Sequence, residues 1–517
     1  MATKNILVVF VHGWSVTNTD TYGGLPRRLS TEASKVGLTI EIKEIHLGKY
    51  VSFRDEVEIK DIARAFDAAV IQNLIPLLND DRRFVCITHS TGGPVIREWW
   101  HNYYINNKDN KVCPMSHLIM LAPANFGSAL AQLGKSRIAR MKFWLGDTEP
   151  GQGVLDWLEL GSEPAWRLNT EWIRHSRGEV GARNVFLFVL TGQTIDRTFY
   201  DNLNNYTGEI GSDGVVRVCA ANLCSQYIRL TQEPPADGGA DGLEKKSELV
   251  VEEYVVSAPT AFRVLEGKSH SGSNLGIMRS VHKGGNDPKS TATINSIIDA
   301  IRVSNEQEYD KLTEMWRTET SDVQIKEKTE HETKVLKDRF FIHDRFSMVV
   351  FRVRDETGQL IDDFDLLLTT GTETKDDPNK LPEGFLKDRQ KNSKTPGLIT
   401  YYFNYDLLRG DKEVVYSYKS KGSRKEKTKI LREERPGIES LGLTVVAEPK
   451  DGFVHYTSCE IRASKDLLEK ALKPNSTTLI DIKLNRAVHN NIFALEPFSK
   501  SEKTDFKNIK PSNQIVP

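Results

Sequence analysis

Short, largely apolar runs recur through the first 300 residues, at 6–11, 84–88, 117–121, 185–190 and 262–265, with a more mixed run at 39–45. Each has the length of a strand, and strands without a polar side need cover on both faces. Residues 59–78 and 95–104 between them carry apolar positions at helical spacing. Strands alternating with helices predict a mostly parallel sheet, an α/β fold. The rhythm changes near Thr291. Residues 294–303 predict a closing amphipathic helix, and 306–337, dense in Glu, Lys and Arg, predict a solvated helical linker. Strand and turn patterns follow at 346–353, 360–368, 398–403, 414–418, 441–447 and 478–484. In the last, Ile480, Ile482 and Leu484 alternate with Asp481 and Lys483, as one buried face requires. The chain thus divides into an α/β unit over 1–305, a linker over 306–337, a β-sandwich-like accessory domain over 338–490 and a polar tail over 491–517.

Charge narrows the function classes. The chain has 517 residues with 70 basic and 71 acidic side chains, a formal charge of −1. Binding nucleic acid or anionic lipid through bulk charge is excluded, because that route needs a basic excess. Five scattered cysteines make no disulfide framework, and the close pair Cys219 and Cys224 lacks histidine partners at zinc spacing, so no metal is expected. The run ILVVFV at 6–11 is too short for a signal peptide and lacks a cleavage site. These features predict folding in a reducing cytosol, and export by a route without a cleaved signal stays open.

The chemistry begins at Phe84-Val85-Cys86-Ile87-Thr88-His89-Ser90-Thr91-Gly92-Gly93. An apolar strand enters a sharp turn with Ser90 at its apex, and a helix pattern follows. Small residues after the serine let the backbone turn tightly and push the hydroxyl out of the sheet. A serine hydroxyl needs a base before it attacks anything. Two later loops carry the remaining titratable groups: Gly211-Ser212-Asp213-Gly214-Val215-Val216, and Glu266-Gly267-Lys268-Ser269-His270-Ser271-Gly272 after the last strand run. Asp196 competes with Asp213 as the acid, and His282 with His270 as the base. His89 is expected to project away from the serine, and His117 to be a core residue.

These motifs, with Val9-Phe10-Val11-His12-Gly13-Trp14 and Leu121-Ala122-Pro123-Ala124-Asn125-Phe126-Gly127-Ser128, resemble the α/β-hydrolase lipases and phospholipases over residues 1–300. The pattern is most similar to bacterial phospholipase-type proteins, including lipase effectors delivered by type VI secretion, and more distantly to GPI-inositol deacylases. It departs from them at Thr88, where the family usually has glycine. The resemblance implies the order Ser90, Asp213, His270 for a catalytic triad. It also implies an oxyanion hole from the backbone N–H groups of Trp14 and Thr91. No cofactor is implied.

Residues 125–180 lack strand rhythm and hold Trp144, Trp157, Trp166 and Trp172, four of the eight tryptophans. They predict a helical cap, with Trp144, Leu155, Trp157 and Leu158 as lid and pocket residues facing an acyl chain and transiently a lipid surface. Basic residues at 419, 421, 424, 425, 427 and 429 read as a solvated hairpin. The expected activity is serine ester hydrolysis on a lipid, with fatty acid released through an acyl-enzyme. The alternatives are a soluble-ester hydrolase, thioesterase or acyltransferase on the same triad, or a silent hydrolase-like protein presenting its C-terminal domain to a protein partner.

Overall fold

The computed structural model describes residues 5–11, 22–45, 54–78, 82–106, 112–132, 151–195, 209–233, 247–282, 288–332, 338–372, 375–377, 381–419, 426–449 and 453–488. Six strands, β1 (Asn5–Val11), β2 (Thr39–Ile45), β3 (Phe84–His89), β4 (Met115–Leu121), β5 (Phe186–Thr191) and β8 (Ala261–Val264), form a parallel sheet in the order β2-β1-β3-β4-β5-β8. Their alternation divides one apolar run between two cores. Leu7, Val9, Cys86, Leu118 and Leu187 point to one side, and Val8, Phe10, Val85, Ile119 and Phe188 to the other. Helices α1 (Leu25–Lys35), α2 (Ile59–Ala69) and α3 (Gly92–Trp100) lie among the covering elements. Val11 is level with Thr88, and His89 with Leu121, so β1, β3 and β4 deliver their C-terminal ends to one edge.

Between β5 and β8 the chain makes an excursion absent from the sequence reading. It forms two further strands, β6 (Gln226–Gln232) and β7 (Ser247–Val256), that pair with each other. Both lie inside a ten-stranded mixed sheet whose other strands come from residues 346–484. β6 runs parallel to Ser476–Leu484, which runs parallel to Phe346–Asp355. Both faces of this sheet are covered. Phe346, Met348 and Val350 join the core shared with the hydrolase half, while Val349, Phe351 and Val353 enter a separate core inside the curl of the sheet.

The segment expected to be a solvated linker begins with a helix, Glu306–Lys326, capped by the Asn305 side chain accepting from Glu308 N–H. It is solvated on one side only. Tyr309, Leu312 and Trp316 are buried on the other, and the Trp316 ring meets Phe188 edge-on at 5.9 Å. Burying a side chain of this kind contributes on the order of 2–3 kcal/mol, which makes the helix part of the sheet's cover. Among the described residues no helix is long and apolar enough to cross a membrane.

Candidate active site

Ser90 sits where β3 turns into α3, and its φ of +53° places a non-glycine residue in the left-handed region. That conformation costs roughly 1–2 kcal/mol, so the surroundings must impose it. Ser90 N–H donates to the Leu121 carbonyl at 3.0 Å, and the Ser90 carbonyl accepts from Gly93 N–H at 3.2 Å. A Cβ at Gly93 would stand 2.7 Å from Cβ of Pro123, so no larger residue fits there without displacing the chain beyond β4. Thr88 replaces the usual glycine without opening the turn, because Gly92 yields the space. A Cβ at Gly92 would already be 3.2 Å from that of Thr88.

Ser90 Oγ lies 3.0 Å from Nε2 of His270, and Nδ1 of His270 lies 2.9 Å from Oδ2 of Asp213. Asp213 is fully buried, and its other carboxylate oxygen accepts from the N–H groups of Val215 and Val216 at 3.0 and 2.8 Å. His270 N–H donates to the Asp213 carbonyl at 2.9 Å, joining the two loops at the backbone as well. A serine, an imidazole and a carboxylate in that line can transfer a proton off the hydroxyl and hold the imidazole ring in one orientation. Of the competing residues, His282 is exposed, and His117 stacks on Phe188 with its Nε2 2.8 Å from the Val303 carbonyl. Asp196, Trp14 and Trp144 lie outside the described residues, as do the tail at 491–517 and Lys421, Arg424 and Lys425 of the basic run.

A pocket opens beside Ser90 and Thr91, walled by Leu130, Leu155, Leu158 and Val216. Leu155 and Leu158 stand three apart on the short helix Gln152–Leu158 and so share its pocket face. Trp157 falls on another face and packs into the core behind, with Trp166 and Trp172. Ser128 Oγ donates to the Val215 carbonyl at 2.6 Å, tying the segment after β4 to the loop that carries Asp213.

Three further residues border the site, two of which, Arg97 and Glu327, carry no signal in the sequence. His89 does not project away from the site. The turn at Ser90 leaves its ring against that of His270, centroids 4.7 Å apart, with Nε2 3.1 Å from the His270 carbonyl. Arg97, 3 % exposed, donates to Oδ1 of Asn125 and Oδ1 of Asn169, and thereby braces the strand-to-cap loop against α3. Burial pushes its guanidinium down to about 9. Glu327, just past the helix Glu306–Lys326, accepts from Gly267 N–H at 2.7 Å and so fixes the His270 loop from outside the hydrolase half.

Burial, and after it the neighbouring His270, hold the His89 imidazole well below the ordinary histidine range. Its folded form stays neutral where the unfolded chain would bind a proton. The stabilisation is therefore complete above about pH 6.5 and declines as pH falls below it. His101 is lowered by burial in the same sense. The melting temperature should fall more steeply from pH 7 to pH 5 in the wild type than in His89→Asn, which retains the His101 contribution. Equal slopes in the two proteins would remove His89 from this account.

No family model matches the chain, and no curated protein does. Solved structures do. Phospholipase PlaB from Legionella pneumophila, in complex with thio-NAD, is 40% identical with a TM-score of 0.81, over 96% of this chain and 97% of that one. A second structure of PlaB gives the same identity and TM-score over 97% and 98%. The mature lipase BlEst2 from Bacillus licheniformis is 21% identical with a TM-score of 0.30, over 42% of this chain and 78% of that one. With two-fifths of its residues shared along nearly its whole length, this chain belongs to the family of the phospholipase PlaB.

Proposed function

We propose that the protein is a serine phospholipase that cleaves a carboxyl ester of a glycerophospholipid through an acyl-enzyme on Ser90. The observation that carries this reading is the unbroken line from Ser90 through His270 to Asp213, opening on an apolar pocket. His270 Nε2 accepts the hydroxyl proton as Ser90 Oγ bonds to the acyl carbon. The carbonyl oxygen gains the electron pair, and the backbone N–H of Thr91 receives it, with the Trp14 N–H as the second donor that the family resemblance implies. When the carbonyl re-forms, the ester C–O bond breaks, and the lysophospholipid alcohol leaves with the proton from His270. Water then gives a proton to His270 and attacks the acyl-enzyme, releasing fatty acid and restoring Ser90. Asp213, bonded to Nδ1, holds the ring in one orientation and stabilises the imidazolium. The acyl chain lies between the leucines of the cap helix and Val216. The thio-NAD held by one PlaB structure enters no step of this scheme.

The test uses phosphatidylglycerol and phosphatidylcholine vesicles in water enriched in 18O, with p-nitrophenyl butyrate as a soluble ester. Released fatty acid should carry one 18O atom while the lysophospholipid carries none, and a fluorophosphonate adduct should map to Ser90 by peptide mass spectrometry. Turnover of the soluble ester with intact vesicles would instead identify a soluble-ester hydrolase.

A further inference from the structure

The hydrolase reading leaves the ten-stranded sheet without a task, yet its outer edge touches the loop that carries Asp213. That loop is closed on itself by Arg217, which is 1 % exposed. Nε and Nη2 of Arg217 donate to the two carboxylate oxygens of Glu209 at 2.9 and 2.8 Å. Nη2 also donates to Asp388, and the guanidinium lies 4.0 Å from the centroid of the Tyr402 ring. Tyr402 is fully buried, and its hydroxyl is within 3.1 Å of the Gly211 carbonyl, two residues before Asp213. Gly211 itself has φ +81°, and a Cβ there would stand 2.3 Å from that hydroxyl. The aromatic ring therefore replaces a side chain the loop cannot carry.

Asp388 and Tyr402 are direct partners on the last two strands of the sheet, Leu386–Lys391 and Leu398–Asn404, and the register shifts immediately before Asp388. A bulge re-aims the side chain that follows it, and bulges concentrate beside active sites. Among the described residues, Arg217 Nη1 has no hydrogen-bond partner. A joint serving stability alone would be made as well or better by apolar residues, since burying a charge in full opposes folding. Two carboxylates and an aromatic face around one guanidinium instead fix a direction, because the planar fork accepts few geometries.

We propose that this edge is a positioning clamp. Asp388 and Tyr402, acting through Arg217 and Gly211, hold the acid loop so that Asp213 meets His270. The clamp rests on the reading of Asp213 as the triad acid. Asp388 and Tyr402 are positioning residues, since neither touches the reacting atoms.

The experiment measures kcat, KM, the rate of fluorophosphonate labelling and the melting temperature for full-length Asp388→Asn, Asp388→Glu, Tyr402→Phe and Asp213→Asn. Asp388→Asn should lose about tenfold or more in kcat, with the same loss in labelling rate, while KM stays within twofold. Asp388→Glu should recover part of the loss, because it restores the charge. Tyr402→Phe keeps the stack and loses only the hydroxyl, so it reports on the clamp even if Asp388→Asn fails to fold. It should lose several-fold in kcat. Asp388→Asn and Tyr402→Phe with wild-type kcat and labelling, or losses that vanish once the unfolded fraction is subtracted, would overturn the clamp. Full activity in Asp213→Asn would overturn the triad reading instead, and an inactive Asp213→Asn beside a fully active Asp388→Asn would sink the clamp alone.

Discussion

Ser90→Ala should reduce kcat for ester hydrolysis by about 10⁴–10⁶ and abolish fluorophosphonate labelling, with the melting temperature unchanged within a degree or two. Among the described residues, the Ser90 hydroxyl is the nucleophile that stands within hydrogen-bond reach of His270 Nε2. Without it, only substrate binding and the oxyanion donors remain to speed attack by water. Stability should hold because alanine keeps the same Cβ, so the backbone at φ +53° is neither relieved nor further strained. Among the described residues, the side-chain hydrogen bond lost is the one to His270. Kinetics on a short p-nitrophenyl ester, together with a thermal melt, separate the two quantities. Residual turnover above about 1 % with a correctly folded variant would show that another nucleophile does the work.

The largest effect on stability should come from Asp481→Ala, at about 3–5 kcal/mol. Asp481 is fully buried on Ser476–Leu484, in the middle of the ten-stranded sheet. It accepts from Arg352 Nε at 2.9 Å, Arg354 Nη2 at 2.9 Å and the Tyr227 hydroxyl at 3.0 Å. Removing the carboxylate leaves two arginines, each under 20 % exposed, without their shared counter-charge. Asp481→Leu should do no better, since the arginines stay. Chemical denaturation with a two-state fit checks the size, and a change below 1 kcal/mol would show that water takes over the role of Asp481. The same site dictates an acid limb. Burial pushes the Asp481 carboxyl up, but the hydrogen bonds from Arg354 and Arg352 outweigh it and hold the group well below the carboxylate range. Asp344, opposed by burial but bonded by Arg432 and Lys328, is brought down to about 2. Carboxyls lowered in the folded state contribute fully above about pH 4 and lose that contribution as pH falls toward the folded value. The wild type should therefore lose stability between about pH 4 and pH 2, and Asp481→Ala should lose less over the same interval.

What the sequence makes legible is what neighbouring residues decide among themselves. The parallel strands show in apolar runs because both of their faces are buried. The elbow shows because a tight turn admits only small residues after Ser90. The structure brings Ser90, Asp213 and His270 within hydrogen-bonding reach of one another, in the chain order that the resemblance implies. Residues whose partners are remote stay hidden. β6 alternates Ile228 and Leu230 with Arg229 and Thr231, and nothing local tells that its neighbour is Ser476–Leu484. The buried stripe of the helix Glu306–Lys326 runs through Tyr309, Leu312 and Trp316 and then ends on Thr320 and Gln324, so two polar residues dilute its period. Arg217 reads as an ordinary loop cation, because its meaning depends on Asp388, 171 residues away. The place of His89 is hidden for a related reason: its partner is a backbone carbonyl, which carries no side-chain signature.

The place of β6 also sets a timetable. The acid loop leads directly into β6, and Gln226 on β6 bonds to Thr478, 252 residues further along. A ribosome adding ~5–20 residues each second needs roughly 10–50 s to cover that distance. Throughout that interval the nascent chain holds Ser90, while β6 lacks the strand to which it runs parallel. The ten-stranded sheet therefore closes around β6 only after residues 476–484 have been made.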